Sequence, residues 1–193
     1  MTQLTIKATS VFERNWNAIH TDARFIVNVG GSRSSKTYSL CQAIILYCVN
    51  TPNKLVSIVR KTGPALKATV YRDFFEVLKT LSLYDEKNHK KMDGIYQFPN
   101  GSAVEFFSVD QEQKVRGRKR DILWANEANE LLYDDVQQLA LRTTSKLIFD
   151  YNPSAPESFL YHLPQDRTIS IHSTYKDNPF LTKEIIEQIE SYK

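Results

Sequence analysis

Gly30-Gly31-Ser32-Arg33-Ser34-Ser35-Lys36-Thr37 follows the phosphate-loop pattern G-x-x-x-x-G-K-[ST] except at Ser35, where a second glycine is usual. Small residues let successive backbone N–H groups wrap phosphate oxygens, and a following helix aims its positive end at them. In this pattern Lys36 reaches the β/γ oxygens and the Thr37 hydroxyl ligates Mg²⁺. Serine at 35 requires a backbone angle that glycine adopts more readily, so the departure concerns loop geometry. Arg33 has two readings: a guanidinium beside the γ-phosphate that stabilises transition-state charge, or a solvated loop arginine. The plain alternative for the whole segment is a small-residue turn before an ordinary helix.

A hydrolytic site of this kind needs a second strand that delivers a metal-binding group and a glutamate to polarise water. The run Ile122 to Ala125 is an apolar strand followed by Asn126, where aspartate is usual, and Glu127, the candidate base. Asn126 offers Mg²⁺ only a neutral oxygen, so an Asn126→Asp change is expected to tighten the metal. Simple capping of the next helix is the competing reading for both residues. A third strand, Lys146 to Tyr151, leads to Asn152-Pro153, making Asn152 either a γ-phosphate sensor or part of a plain turn.

These groups need a scaffold that brings strand ends together. Phe25 to Val29 reads as a strand, Lys36 to Val49 as a buried helix, Leu55 to Val59 as a strand, and Ala65 to Leu81 as an amphipathic helix. Ile95 to Phe98 and Ala103 to Phe107 flank Asn100-Gly101, predicting an inserted β-hairpin whose turn takes positive φ angles at both residues. After Ile122 to Ala125 come a helix around Tyr133 to Arg142, the Lys146 strand, a strand Thr168 to Ser173, and a helix from Lys183 capped by Thr182. The alternation predicts a three-layer α/β/α fold with a mainly parallel sheet and the hairpin as an insert.

Composition excludes other classes. With 41% hydrophobic and 24% charged residues the chain is far from a disordered composition, and a net charge of +3 argues neither for nor against nucleic acid. Cys41 and Cys48 share one helical run and are expected as reduced core thiols of a cytosolic protein. The longest apolar stretch, Ala43 to Val49, is far short of a membrane span, so no membrane association is expected. His20, His89, His162 and His172 lack metal-ligand spacing.

Taken in order, GGSRSSKT, VSIVRKTGPALKATVYRDFFEVL, FPNGSAVEFFSVDQEQKVRGRKRDILWANEANEL, LIFDYNP and HSTYKDNPFL resemble the large terminase subunits of tailed phages, from about Arg24 onward. Arg60-Lys61, the NGS hairpin and TYKDNPFL make the resemblance far more specific than the phosphate loop alone. It implies a P-loop ATPase with an additional strand in the sheet and a catalytic glutamate, using ATP with Mg²⁺. It also implies a motor that moves double-stranded DNA into a procapsid from a ring docked on the portal in the host cytoplasm, with portal protein and small terminase subunit as partners.

By this resemblance Lys36 and Thr37 match the phosphate and magnesium positions, Glu127 the catalytic glutamate and Asn152 the coupling motif. The family's loop arginine often sits one place nearer the glycines than Arg33, and its metal carboxylate is here Asn126. Members also carry a C-terminal RNase H-like nuclease; none is expected before Lys193, so residues 1–193 are expected to form an ATPase domain. The loop Lys114 to Asp121 holds five basic residues in seven positions, from which Arg116 and Arg118 would contact DNA, reach a neighbour's ATP, or simply face solvent. Asn15 and Trp16 are candidates for adenine contact, with a core role for the tryptophan as the other reading. A helicase-like motor and a nucleotide-binding scaffold with little hydrolysis are the rival functions.

Overall fold

Alternation along the apolar strands decides the layers. Strand β1 (Phe25–Gly30) sends Ile26 into one core and Val27 into the other, because successive side chains leave opposite faces of a pleated strand. Strand β6 (Arg120–Ala125) does the same with Ile122 and Trp124 against Leu123 and Ala125, and β7 (Thr143–Tyr151) with Ile148 against Leu147 and Phe149. Strands buried on both faces must be covered by helices on both, which is the three-layer arrangement expected. The structure, a computed structural model, describes residues 6–110, 119–153 and 159–192.

One face carries α1 (Ser10–Ile19), α2 (Lys36–Asn50) and α4 (Arg72–Thr80); the other carries α5 (Tyr133–Ala140). Strand β2 (Leu55–Arg60) leads to the short α3 (Gly63–Leu66), then β3 (His89–Lys90), β4 (Ile95–Gln97) and β5 (Ala103–Ser108) follow α4. Strand β8 (Thr168–Ser173) and α6 (Lys183–Ser191) close the described chain. The sheet order is β3-β4-β5-β2-β6-β7-β1-β8. All pairs from β5 to β8 are parallel, so β7 stands between the phosphate-loop strand β1 and β6, the additional strand anticipated.

Several local expectations change. The hairpin is continuous with the main sheet: β4 runs antiparallel to β5, which pairs parallel with β2. Only Gly101 takes a positive φ, +86°. Asn100 instead donates its amide to the carbonyls of Cys48 (2.7 Å) and Val49 (3.0 Å), satisfying acceptors that the last turn of α2 leaves open. The helix expected from Ala65 to Leu81 contains a π turn at Lys67–Tyr71. There Arg60 Nη1 donates to Thr69 Oγ1 at 2.7 Å and to the Ala65 carbonyl at 3.4 Å, a side-chain intrusion of the kind that widens a turn. Thr182 occupies the N-cap of α6 but makes no capping bond there. Helix α1 is absent from the sequence-based expectation; its signal is Thr9, whose Oγ1 accepts from Phe12 N at 3.1 Å.

Candidate nucleotide site

The parallel strands β1, β6, β7 and β8 all end at one edge of the sheet, where an α/β fold leaves a crevice. The phosphate loop opens this edge. Gly30 is required by packing: a Cβ there would lie 2.2 Å from the Ser173 carbonyl oxygen on β8. Gly31 has open space around it and tolerates a side chain sterically. Ser173 Oγ also donates to Ser34 Oγ at 3.1 Å, so the end of β8 props the loop. Ser35 holds the left-handed angle that glycine would take freely, φ 63°, and Arg33 does so too at φ 67°. Each such non-glycine residue costs about 1 to 2 kcal/mol. The Arg33 carbonyl is held by Asn178 Nδ2 at 2.9 Å, which gives the TYKDNPFL segment a physical role beside the loop. Arg33 itself is solvent-exposed.

Lys36 is buried, and its ammonium donates to the carbonyls of Gly30 (2.5 Å) and Gly31 (3.0 Å), to Ser34 Oγ (3.3 Å) and to Asn152 Oδ1 (3.0 Å). Burial lowers its pKa, while the charges of Asp150 and Glu127 pull it back up. The contact to Asn152 joins the loop of β1 to the end of β7.

On the acidic side, pleat parity places Trp124, Asn126 and Asp150 toward the α2 face. Asp150 is fully buried; Trp124 Nε1 donates to its Oδ2 at 2.5 Å, and Asn126 Nδ2 donates to Oδ1 and Oδ2 at 3.0 and 3.1 Å. Glu127 N lies 3.5 Å from Asp150 Oδ1, and Glu127 itself sits at φ 51°. Backbone strain of this order concentrates at functional positions. Burial raises the Glu127 pKa, the nearby Asp150 raises it further, and Arg60 and Lys36 oppose both. Arg60 pairs with Glu130 (Nη2 to Oε1, 3.3 Å), fixing the turn just beyond Glu127. Sequence reasoning assigns Asp150 no role; the signal available is an aspartate directly after the apolar run Leu147 to Phe149.

Gly31, Ser32, Arg33, Ser34, Ser35, Lys36, Thr37, Glu127 and Asn152 meet around one cleft of about 260 Å³. Of the two residues expected at the metal, Thr37 lines this cleft, while Asn126 is buried beside it with an Oδ1 that has no partner among the described residues. A hydroxyl and a neutral amide oxygen suit a hard cation that arrives with phosphate and water ligands. A second cavity of about 660 Å³ shares Ser35, Tyr38 and Asn178 with the cleft and is lined further by Gln42 and Phe180.

Asn15 belongs elsewhere: it is buried and exchanges amide bonds with Asn28 (2.7 and 2.9 Å). Trp16 packs against the core beside Phe12 and His20. Within the basic cluster, Arg120 lies in β6, buried, with its guanidinium 5.4 Å from the Phe107 ring, so it is no part of a solvent-facing loop. Arg116 and Arg118 lie outside the described residues. Cys41 and Cys48 are buried free thiols, and burial raises the pKa of both. No helix among the described residues is long and apolar enough to cross a membrane.

Similar proteins agree on the fold. The large terminase subunit of Bacillus phage SPP1 is 24% identical over 214 aligned positions, covering 99% of this chain and 50% of that one. The large terminase of a thermophilic bacteriophage superposes with a TM-score of 0.83 at 19% identity, over 97% of this chain and 51% of that one. A structure of the same thermophilic-phage protein in complex with ADP gives a TM-score of 0.81 at 20% identity, over 96% and 50% of the two chains. The chain thus spans about half the length of these relatives. A family model described as phage terminase large subunit matches residues 22–193, and the chain belongs to that family.

Proposed function

We propose that this chain binds ATP with Mg²⁺ in the cleft, hydrolyses it, and is the ATPase part of a motor that drives double-stranded viral DNA into a procapsid. The observation that carries the reading is the meeting of Lys36, Glu127 and Asn152, from three separate strand ends, around one cleft. The phosphate loop N–H groups and Lys36 bind the β/γ oxygens, and Lys36 exchanges its present carbonyl partners for them. Thr37 and Asn126 would hold the metal, which when bound would supply positive charge against the phosphates. Glu127 accepts a proton from the attacking water as the new O–P bond forms and the bond to the β-phosphate oxygen breaks. Asn152, bonded to Lys36 at 3.0 Å, reports whether the γ-phosphate is present. The adenine ring occupies the larger cavity, beside Tyr38 and Phe180.

Arg33 or an arginine from a neighbouring subunit, Arg116 or Arg118, completes the charge around the γ-phosphate. Such an arginine is worth roughly 10³ to 10⁵ in rate in related NTPases. Portal protein, small terminase subunit and a ring of copies are the proposed partners, with the host cytoplasm as the place of action. Phosphate release with Mg²⁺ and ATP, measured against protein concentration, tests these points. Specific activity rising with concentration, and no longer rising in Arg116→Ala or Arg118→Ala, supports a trans arginine; fast, concentration-independent turnover assigns the role to Arg33. ATP binding without turnover favours the scaffold reading, and strand separation of duplex DNA the helicase reading. Absence of ATP binding by calorimetry removes the proposal.

A further inference from the structure

We propose that Asp150 is the positioning residue of the acidic side, supplying from β7 the negative charge that the end of β6 lacks at Asn126. The inference rests on the hydrolytic reading above for its functional half only. An ionised carboxylate accepts hydrogen bonds and donates none. To an ionised Asp150 the group that Asn126 presents is its NH₂, at 3.0 and 3.1 Å. Its Oδ1 is consequently the remaining acceptor of this strand end, without a partner among the described residues. That oxygen is buried beside the cleft, and the amide that carries it is held by Asp150. Trp124 Nε1 anchors the same carboxylate from β6, and the Glu127 backbone N–H stands 3.5 Å from it. Asp150 does not line the cleft and acts through its neighbours: it sets the amide of Asn126 and the strand end from which Glu127 reaches the cleft.

One acid and one amide satisfy this arrangement, and they do so in either order. Two carboxylates at 126 and 150 would face each other where an N–H···O bond now stands, and like charges at that distance cannot both ionise without strain. Two amides would leave no charge behind Glu127 at all. The sequence-based expectation for Asn126→Asp thus reverses: alone it harms the site.

The test compares Asn126→Asp, Asp150→Asn and the exchanged double variant Asn126→Asp/Asp150→Asn in the same chain. Melting temperature at pH 8, affinity for ATPγS with Mg²⁺, and phosphate release are measured. Each single variant is expected to melt about 5 to 10 °C lower. Turnover should fall at least about tenfold in each, with the ATPγS affinity of Asp150→Asn within about threefold of the parent. The exchange is expected to recover more than half of both losses, a coupling that independent sites do not show. Asn126→Asp matching the parent in stability and turnover, or an exchange no better than the sum of its parts, overturns the proposal. If a single variant does not fold, a folded exchange variant still supports it and an unfolded one overturns it. A parent chain that releases no phosphate defeats the hydrolytic reading instead, while the melting temperatures continue to decide on the pair.

Discussion

The two halves of the cleft are built on opposite plans. On the loop side, between β1 and α2, the groups that face the cleft are consecutive residues, and the main help from elsewhere is packing: Ser173 under Gly30 and Ser34, and Asn178 on the Arg33 carbonyl. On the acidic side no single segment suffices. Asn126 and Glu127 end β6, but the carboxylate that organises them comes from Asp150, and the contact to Lys36 comes from Asn152 at the end of the same strand. Local construction lets one side be altered residue by residue. Cross-strand construction makes the other side respond as a unit.

The largest effect that would break this comparison is expected on the acidic side. Glu127→Gln keeps the shape and removes the base, so phosphate release should fall by roughly 10² to 10⁴ while ATP affinity stays within a few-fold. Retained turnover would place the base elsewhere and leave the strained angle at Glu127 without a catalytic reason.

Next in size is Lys36→Ala. It removes a charge-assisted donor worth about 1.5 to 3 kcal/mol, so ATP affinity by calorimetry should drop about 10- to 100-fold. The fold should tolerate the change, because the partners released are loop carbonyls and polar side chains next to the cleft. Unchanged affinity would mean that the loop binds phosphate through its backbone alone.

The smallest effect sharpens the idea of a locally built loop. Ser35→Gly relieves a left-handed serine at φ 63°, at the cost of extra chain entropy in the unfolded state. The balance is a gain of about 0.5 to 1 kcal/mol by denaturant unfolding, with ATP affinity nearly constant. A loss of stability would show that the Ser35 hydroxyl, 3.5 Å from Ser39 Oγ, matters more than its backbone angle.

Much of this molecule is legible without its structure. The strands from Phe25, Leu55, Ile122 and Lys146 appear near the expected bounds because residues buried on both faces write a continuous apolar run, and the edge strand from Thr168 because its residues alternate. Lys36, Glu127 and Asn152 can be named because each stands just beyond such a run. Helix α1 escapes although Val11, Phe12, Ala18 and Ile19 follow a helical repeat, because the segment is short and carries no chemical motif. Asn100 reads as a turn residue, although its side chain serves the end of α2 through Cys48 and Val49, contacts that span 52 and 51 residues of chain. Arg120 reads as a loop charge because its neighbours are basic, while its place in β6 buries it.

The sequence by itself determined the residue pattern of the loop and the order of the layers, since both depend on neighbours along the chain: spacing within about eight residues for one, a repeat of about two or 3.6 for the other. Only the tertiary structure decided which carboxylate serves the acidic side. Asp150 and Asn126 are 24 residues apart and meet because β6 and β7 are hydrogen-bonded in a register that pairs Ala125 with Phe149. A register between strands is a property of the packed sheet, so an aspartate's partner across it cannot be read from spacing along the chain.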